Sequence, residues 1–176
     1  MRLLRGTILL LTLAAWLAGA GAVAADAEMF SDRSLGDFPA ELKAAQEAGK
    51  AGVMLMFEIE GCPYCRKMKQ QVLSRDEVQE YFHEHFAIFS VDARGDFPIT
   101  DFSGRDTTEK DYARALKIRG MPSFVIFGVD GRELARFAGV AKDAEEFMRL
   151  GRYVADGHYQ TQSIEQYQIV TQSGKN

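Results

Sequence analysis

Short apolar runs separated by amphipathic segments dominate the pattern of the chain. Residues 53–59 form an apolar run with Glu58 as its one charged residue, which predicts a central strand buried on both faces of a sheet. Residues 87–91 and Ser123–Gly128 predict two further strands. The dipeptide Asp130-Gly131 is a tight-turn signal, so Ser123–Gly128 and Glu133–Ala138 are expected to form a hairpin.

Helical patterns occupy the segments between these strands. Asp37 is a candidate N-cap and Gly49 a candidate stop for the first helix, and Ser74 with Glu77 fits a capping box before the third. Residues 143–155 place Phe147 on an apolar face. The predicted helices cover residues 37–50, 63–73, 76–85, 108–117 and 143–155. With a loop at 94–105, this order predicts an α/β fold whose sheet has a parallel part and an antiparallel edge.

The first 25 residues differ from the rest of the chain. They contain Arg2 and Arg5 and no acidic residue, then an apolar run at 7–17 and the small-x-small pattern Ala22-Val23-Ala24. This is the pattern of a secretory signal peptide cleaved near Ala24; a retained membrane anchor is the alternative. We therefore predict a signal peptide at 1–25, a folded domain at 26–160, a polar tail at 161–176 and export to a bacterial periplasm.

Charge and composition exclude several classes of protein. The 176 residues suffice for one domain. The whole chain has a net charge of −4, and without the two leader arginines it becomes −6, so nucleic-acid binding is not expected. Two cysteines and four prolines exclude a disulfide scaffold and a collagen-like chain. In the tail, Ile164, Tyr167 and Ile169 are candidate docking residues.

Cys62 and Cys65 are the two cysteines, and they open a helix directly after the central strand. The free N–H groups of a helix N-terminus stabilise negative charge, which favours the first cysteine as a thiolate. A thiolate is the attacking species in thiol–disulfide exchange, and the second cysteine is close enough to resolve the mixed disulfide. Pro63 suits the first helical turn. The pair therefore predicts redox chemistry.

Three other roles are conceivable for a cysteine pair. A disulfide that closes so short a loop stabilises a fold by only about 2 kcal/mol, so a purely structural bridge is disfavoured. Zinc needs four ligands, and His83 and His85 are two apart on a helix, where they point in different directions and are expected to face solvent. Covalent haem attachment is disfavoured because Arg66 follows Cys65 where that motif has histidine.

A second motif, Gly120-Met121-Pro122-Ser123-Phe124, stands before the third strand. Together with Gly61-Cys62-Pro63-Tyr64-Cys65 it resembles the thioredoxin superfamily, over about residues 51–150. The resemblance implies a thioredoxin-like fold with Cys62 as nucleophile and Cys65 as resolving thiol. It also implies a cis proline at Pro122 beside the sulfur pair, and a backbone at Met121 that binds an extended substrate. We expect substrate contacts at Pro63, Tyr64, Met121 and Pro122, and neither a metal nor an organic cofactor.

Further segments are similar to a periplasmic, single-domain branch of that superfamily, the SoxW type. They are the leader, Val129-Asp130-Gly131, Phe137-Ala138-Gly139 and Tyr153-Val154 with Tyr159. The resemblance implies a monomeric reductase of disulfide-containing exported proteins, such as sulfur carriers or apocytochromes, that receives electrons from a membrane thiol transporter. An oxidase of the same fold, and a non-enzymatic module with a helix-capping disulfide, are the alternatives.

Two positions depart from the usual thioredoxin pattern. Gly61 precedes the first cysteine, where thioredoxins usually have tryptophan. Met56 lies six residues before the first cysteine, where they usually have a buried acid. That acid assists proton transfer to the resolving thiol. Glu58 and Glu60 are expected to be solvated charges at a rim, and the alternative is that one of them substitutes for the acid. Met54, Met56 and Met68 are expected in the core.

Overall fold

A mixed five-stranded sheet forms the centre of the computed structural model, which describes residues 30–173. The strands of the described part are β1 (Asp32–Arg33), β2 (Gly52–Glu58), β3 (Phe86–Asp92), β4 (Pro98–Thr100), β5 (Asp106–Thr108), β6 (Ser123–Gly128) and β7 (Glu133–Ala138). The sheet order is β1-β3-β2-β6-β7; β1, β3 and β2 are parallel, and β6 and β7 are antiparallel to their neighbours. The predicted α/β architecture with an antiparallel hairpin edge is confirmed.

Helices cover both faces of the sheet. They are α1 (Phe38–Glu47), α2 (Pro63–Met68), α3 (Asp76–His85), α4 (Glu109–Ala115), α5 (Ala144–Ala155) and α6 (Ile164–Ser173). Helix α2 continues as a π-helical turn, Lys69–Leu73. The side chain of Asp37 accepts a hydrogen bond from the Ala40 N–H at 3.0 Å, so Asp37 caps α1 as predicted. Gly49 follows the helix in the left-handed region with φ 72°.

The side chains of β2 alternate between two apolar cores, as the continuous apolar run predicts. Met54 and Met56 enter the core formed with α2, α3 and α5, whereas Val53, Leu55 and Phe57 enter the core formed with α1 and α4. All five are fully buried. Aromatic rings fill the first core around Phe147, which packs on Phe30, Phe82, Phe124 and Phe137. This packing fixes the strand end from which the cysteine helix starts.

The segment 94–105, predicted as a loop, includes a strand, and a second follows directly after it. β4 and β5 pair antiparallel, with Pro98 opposite Thr108 and Thr100 opposite Asp106. The buried carboxylate of Asp101 stabilises the turn between them by accepting hydrogen bonds from the backbone N–H groups of Ser103 and Arg105. Strands of three residues without apolar alternation leave no periodic signal, which is why the prediction was wrong.

The predicted capping box at Ser74 and Glu77 is also wrong. Arg75 is the residue before α3, and it makes no side-chain capping bond. Ser74 instead donates its hydroxyl to the Gln70 carbonyl at 2.9 Å, and Glu77 accepts a hydrogen bond from the Arg75 guanidinium. The π-helical turn shifts the start of α3, so the two residues no longer stand in capping register.

The C-terminal residues, for which no element was predicted, form helix α6. Tyr167 is buried, as expected of a docking residue, and its ring stacks on His158 with 4.6 Å between centroids. The hydroxyl of Tyr153 in α5 donates to the Gln162 carbonyl at 2.8 Å. The side chain of Ile169 and the predicted signal peptide lie outside what the structure describes. In residues 30–173, no helix is long and apolar enough to cross a membrane.

Candidate active site

The cysteine pair lies where the central strand β2 gives way to helix α2. Cys62 and Cys65 form a disulfide, with 5.3 Å between their Cα atoms. Cys62 is the N-cap residue of α2, and its sulfur accepts a hydrogen bond from the Cys65 N–H at 3.1 Å. Pro63 occupies the first helical position, where the missing N–H costs nothing. A sulfur that accepts a backbone N–H at a helix start is suited to carry negative charge.

Gly61 provides the turn that leads into this helix. Its φ is 73°, in the left-handed region, and a Cβ at this position would meet no atom within 4 Å. The position is therefore open in space but restricted in backbone conformation, which favours glycine over tryptophan. The departure from the usual thioredoxin residue thus has a local conformational reason.

The two cysteines differ in exposure. Cys62 is 8% exposed and Cys65 is 3% exposed. Their neighbour Tyr64 is 63% exposed, and Pro63 is also exposed. Cys62 is thus slightly more exposed than Cys65, and the roles of Cys62 as attacking thiol and Cys65 as resolving thiol remain predictions.

The loop before β6 places its backbone against the disulfide. The Met121–Pro122 peptide bond is cis, as the family resemblance predicts. The sulfur of Cys62 lies 3.9 Å from the Met121 carbonyl oxygen. Pro122 is buried, and its carbonyl accepts a hydrogen bond from the Gly139 N–H at 2.8 Å, which anchors the loop to the end of β7.

The structure thus brings together four of the six predicted site residues: Cys62, Cys65, Met121 and Pro122. Pro63 and Tyr64 lie on the outer side of the first turn of α2. The substrate-binding roles of Pro63, Tyr64, Met121 and Pro122 remain predictions.

An open cavity of about 650 Å³ lies on the other side of the disulfide. Both cysteines line it, together with the end of β2, the end of β3 and the loop before β4. Its ionisable lining residues besides the cysteines are Arg33, Glu58, Glu60, Arg66, Lys69, Asp92, Asp96 and Glu109. Sequence patterns do not predict Arg33, Asp92 or Glu109 at this cavity, because their elements meet α2 only in the folded protein.

Glu58 forms an ion pair inside this cavity. The Nζ atom of Lys69 lies 2.8 Å from Oε2 and 3.1 Å from Oε1 of Glu58, and the two side chains are 24% and 23% exposed. Glu60 is exposed, as predicted, whereas Glu58 is not a solvated rim charge. Met56, at the position of the usual acid, is fully buried. Met54 and Met68 are likewise fully buried.

Glu109 is a second, separate carboxylate of the cavity. Burial raises its pKa above the ordinary value, and its Oε1 atom accepts a hydrogen bond from the Asp92 N–H at 3.2 Å. It links the start of α4 to the end of β3. Its hydrogen bond is therefore with the end of β3 and not with the helix of the cysteines.

The described residues include no group of three or more histidine, cysteine or acidic side chains that could hold a metal ion. His83 is exposed, with Nε2 at 3.0 Å from the Phe30 carbonyl, and His85 is half-buried, with its ring stacked on Tyr81. The expectation of a solvated face holds for His83 only.

Comparisons with known proteins agree with this geometry. A family model described as a thioredoxin-like domain matches residues 38–155. A thioredoxin-fold protein from Helicobacter pylori superposes with a TM-score of 0.58 at 20% identity, covering 73% of this chain and 88% of that one. A thioredoxin from Thermus thermophilus superposes with a TM-score of 0.51 at 31% identity, covering 67% of this chain and 83% of that one.

A DsbH oxidoreductase gives a TM-score of 0.52 at 17% identity, covering 72% of this chain and 86% of that one. At that identity the likeness concerns the fold alone. No curated protein is similar enough in sequence to match the chain.

Proposed function

Because the chain belongs to the thioredoxin-like domain family, we propose that it is a thiol–disulfide oxidoreductase that acts on exported proteins. One observation supports this above the others. The sulfur of Cys62 lies at a helix N-terminus, accepts the Cys65 N–H at 3.1 Å and lies 3.9 Å from the carbonyl oxygen that precedes a cis proline. A disulfide that only capped a helix would not require a cis-proline loop beside its sulfur.

The exchange takes two steps and conserves electrons. In the reduced protein, the Cys62 thiolate attacks one sulfur of a substrate disulfide, and the other substrate sulfur leaves as a thiolate that takes up a proton. Cys65, once deprotonated, attacks the Cys62 sulfur and releases the second substrate thiol. Two electrons pass from the cysteine pair to the substrate, and the Cys62–Cys65 disulfide remains. No organic cofactor takes part in either step.

We favour reduction as the physiological direction, on the resemblance to SoxW-type proteins. The substrates would be disulfide-containing exported proteins, such as sulfur carriers or apocytochromes. A membrane thiol transporter would restore the reduced pair. The leader at residues 1–25 supports a periplasmic location, and the net charge of the remaining chain gives no reason to expect a nucleic-acid partner. The protein would act as a monomer.

Trapping of partners tests the proposal. Cys65→Ser keeps the attacking sulfur but removes the resolving one, since a serine hydroxyl is not ionised at neutral pH and cannot displace sulfur. Exported in the native host, this variant is expected to accumulate mixed disulfides that dithiothreitol dissolves. Cys62→Ser is the matched control and is expected to trap far fewer. The measurement is non-reducing electrophoresis followed by mass spectrometry of the complexes.

The identity of the trapped proteins decides between directions. A few proteins whose disulfides must be opened would support reduction, whereas newly exported proteins of every kind would support the oxidase alternative. Equal trapping by both variants, or none by either, would contradict the enzymatic proposal and favour a non-enzymatic module. Acceleration of insulin reduction by dithiothreitol is a second readout, which such a module would not show.

A further inference from the structure

We propose that a small hollow beside the cis-proline loop binds acidic side chains of the protein substrate and so orients that substrate across the disulfide. The inference rests on the proposed function and names the kind of partner that its site selects. The hollow has a volume of about 140 Å³. Small-molecule sites usually measure roughly 300–1,000 Å³, so the size of this hollow suits side chains of a larger partner.

The hollow lies next to the reactive sulfur. Gly120 and Ser123 line it, and these two residues flank the cis peptide bond between Met121 and Pro122. The Met121 carbonyl oxygen is 3.9 Å from the sulfur of Cys62. Since consecutive Cα atoms are about 3.8 Å apart, a substrate segment of a few residues that starts at Cys62 reaches the hollow.

The charge of the hollow has one sign. Its three ionisable lining residues are cations, namely Lys117, Arg119 and Arg136, and all three are exposed. Phe124 and Val125 are buried and form an apolar floor. The whole chain has a net charge of −4, so these cations form a local exception to it. A carboxylate that enters the hollow therefore meets positive charge.

Two of the three cations are available to a partner. Arg136 is already paired, because its guanidinium donates to both carboxylate oxygens of Glu133, at 2.5 and 2.6 Å. Within the part of the chain that the structure describes, neither Lys117 nor Arg119 forms an ion pair. These two side chains are the ones that we expect to bind an acidic segment.

Lys117 occupies a backbone position that favours glycine. Its φ is 57°, and it is the one described residue other than glycine with a positive φ. It follows the end of α4, where the Lys117 N–H donates to the Arg114 carbonyl and the Ile118 N–H donates to the Ala113 carbonyl. Helices that end in this way usually have glycine at this position. A lysine that persists there in spite of its conformational cost indicates a use for its side chain.

The opposite side of the disulfide has a different charge. Five carboxylates and three cations line the cavity of about 650 Å³, and one of those cations, Lys69, is paired with Glu58. An acidic segment is therefore attracted to the hollow and repelled from the cavity. This contrast fixes the direction in which such a segment crosses the sulfur of Cys62.

Activated peptides measure this preference in one chemical step. Each peptide has one cysteine in a disulfide with 5-thio-2-nitrobenzoate, and three glutamates, glutamines or lysines lie before or after that cysteine. In the Cys65→Ser variant, the Cys62 thiolate attacks the peptide sulfur, the bond to the nitrobenzoate sulfur breaks, and coloured 5-thio-2-nitrobenzoate leaves as a thiolate. In one of the two positions, glutamates should raise the rate constant on the order of 10-fold over glutamines at low ionic strength. Salt at about 0.5 M should remove most of this advantage.

Substitution of the two unpaired cations should remove the preference. With Lys117→Gln and Arg119→Gln in the same background, the ratio of the glutamate to the glutamine rate constant is expected to fall close to one. Lys43→Gln with Lys142→Gln is the matched control, because it changes the net charge equally and neither residue lines the hollow. Lys117→Gly should lower the ratio without lowering the urea midpoint of unfolding, since glycine suits the left-handed backbone.

Three results would overturn the inference: equal rates for glutamate and glutamine peptides, equal acceleration from both positions, or an equal loss in the control variant. Binding to vesicles of anionic phospholipid that Lys117→Gln and Arg119→Gln abolish would also overturn it, because the cations would then serve a membrane surface. If no peptide, the glutamine peptides included, reacts faster with the protein than with free glutathione, the proposed oxidoreductase function fails instead. The two failures are therefore distinguishable.

Discussion

Three contacts meet at the sulfur atom of Cys62, the residue on which the site depends most. It is bonded to Cys65, it accepts the Cys65 N–H, and it lies beside the Met121 carbonyl. The two cysteines are chemically identical, and their environments differ in exposure and in the donors that face each sulfur. This difference is expected to give them different reactivity.

We expect iodoacetamide to modify Cys62 before Cys65 in the reduced protein at and below neutral pH. The helix N-terminus stabilises the Cys62 thiolate, whereas Cys65 is almost fully buried. The single-cysteine variants Cys62→Ser and Cys65→Ser report each thiol separately by mass spectrometry, and both thiols should react alike in urea. Faster modification of Cys65 in the folded protein would contradict the assignment of nucleophile and resolving thiol.

At the scale of elements, helix α5 links the sheet to the C-terminal region. It places Phe147, Leu150 and Val154 in the core. Asp143 caps it: the carboxylate accepts a hydrogen bond from the Glu146 N–H at 2.7 Å. The Glu146 carboxylate in turn accepts one from the Lys142 N–H at 2.7 Å. The start of α5 is thus fixed by short-range contacts.

Asp143→Ala is expected to lower the free energy of unfolding by about 1 kcal/mol, because it removes the acceptor for a helix N–H. Asp143→Asn retains an oxygen acceptor and is the control, with a smaller loss. Urea unfolding monitored by circular dichroism gives both values. If both variants have the same free energy of unfolding as the wild type, the Asp143 cap does not stabilise the helix as the structure indicates.

At the scale of the whole molecule, Glu41 ties the N-terminal segment to α1. Its Oε1 atom accepts hydrogen bonds from the Ser34 hydroxyl at 2.6 Å and the Leu35 N–H at 3.0 Å. Its Oε2 atom is buried without a hydrogen-bond partner among the described residues. Burial raises the pKa of Glu41 above its ordinary value of 4.5, and these hydrogen bonds oppose the rise.

A raised pKa means that the folded protein holds the Glu41 proton more tightly than the unfolded chain does. The stability from this site is therefore complete below pH 4.5 and is lost as pH rises through the folded-state pKa. Glu41→Gln removes the titration but keeps an oxygen acceptor. We expect the urea midpoint of the wild type to fall relative to this variant between acid and neutral pH. A constant difference across that range would contradict the prediction.

The sequence by itself determined the features that depend on near neighbours in the chain. The apolar run of β2, the Asp37 cap and the Asp130-Gly131 hairpin follow from side-chain periodicity and local hydrogen bonds, and the structure contains all three. The cysteine pair at the start of a helix is equally local. The sequence analysis did not predict β4, β5 or the polar helix α6, because these segments have no clear apolar period.

Tertiary structure alone decided which distant groups meet at the site. The Met121 carbonyl is 59 residues from Cys62 in the chain and 3.9 Å from its sulfur, because β6 pairs with β2. Glu58 and Lys69 form their ion pair only when the cysteine helix packs on the sheet. Glu109 at the start of α4 likewise accepts its hydrogen bond from Asp92 at the end of β3 only in the folded protein. The sequence pattern of a segment reflects the hydrogen bonds of its own backbone and the burial of its own apolar side chains. Which charges share a cavity depends on how those segments pack.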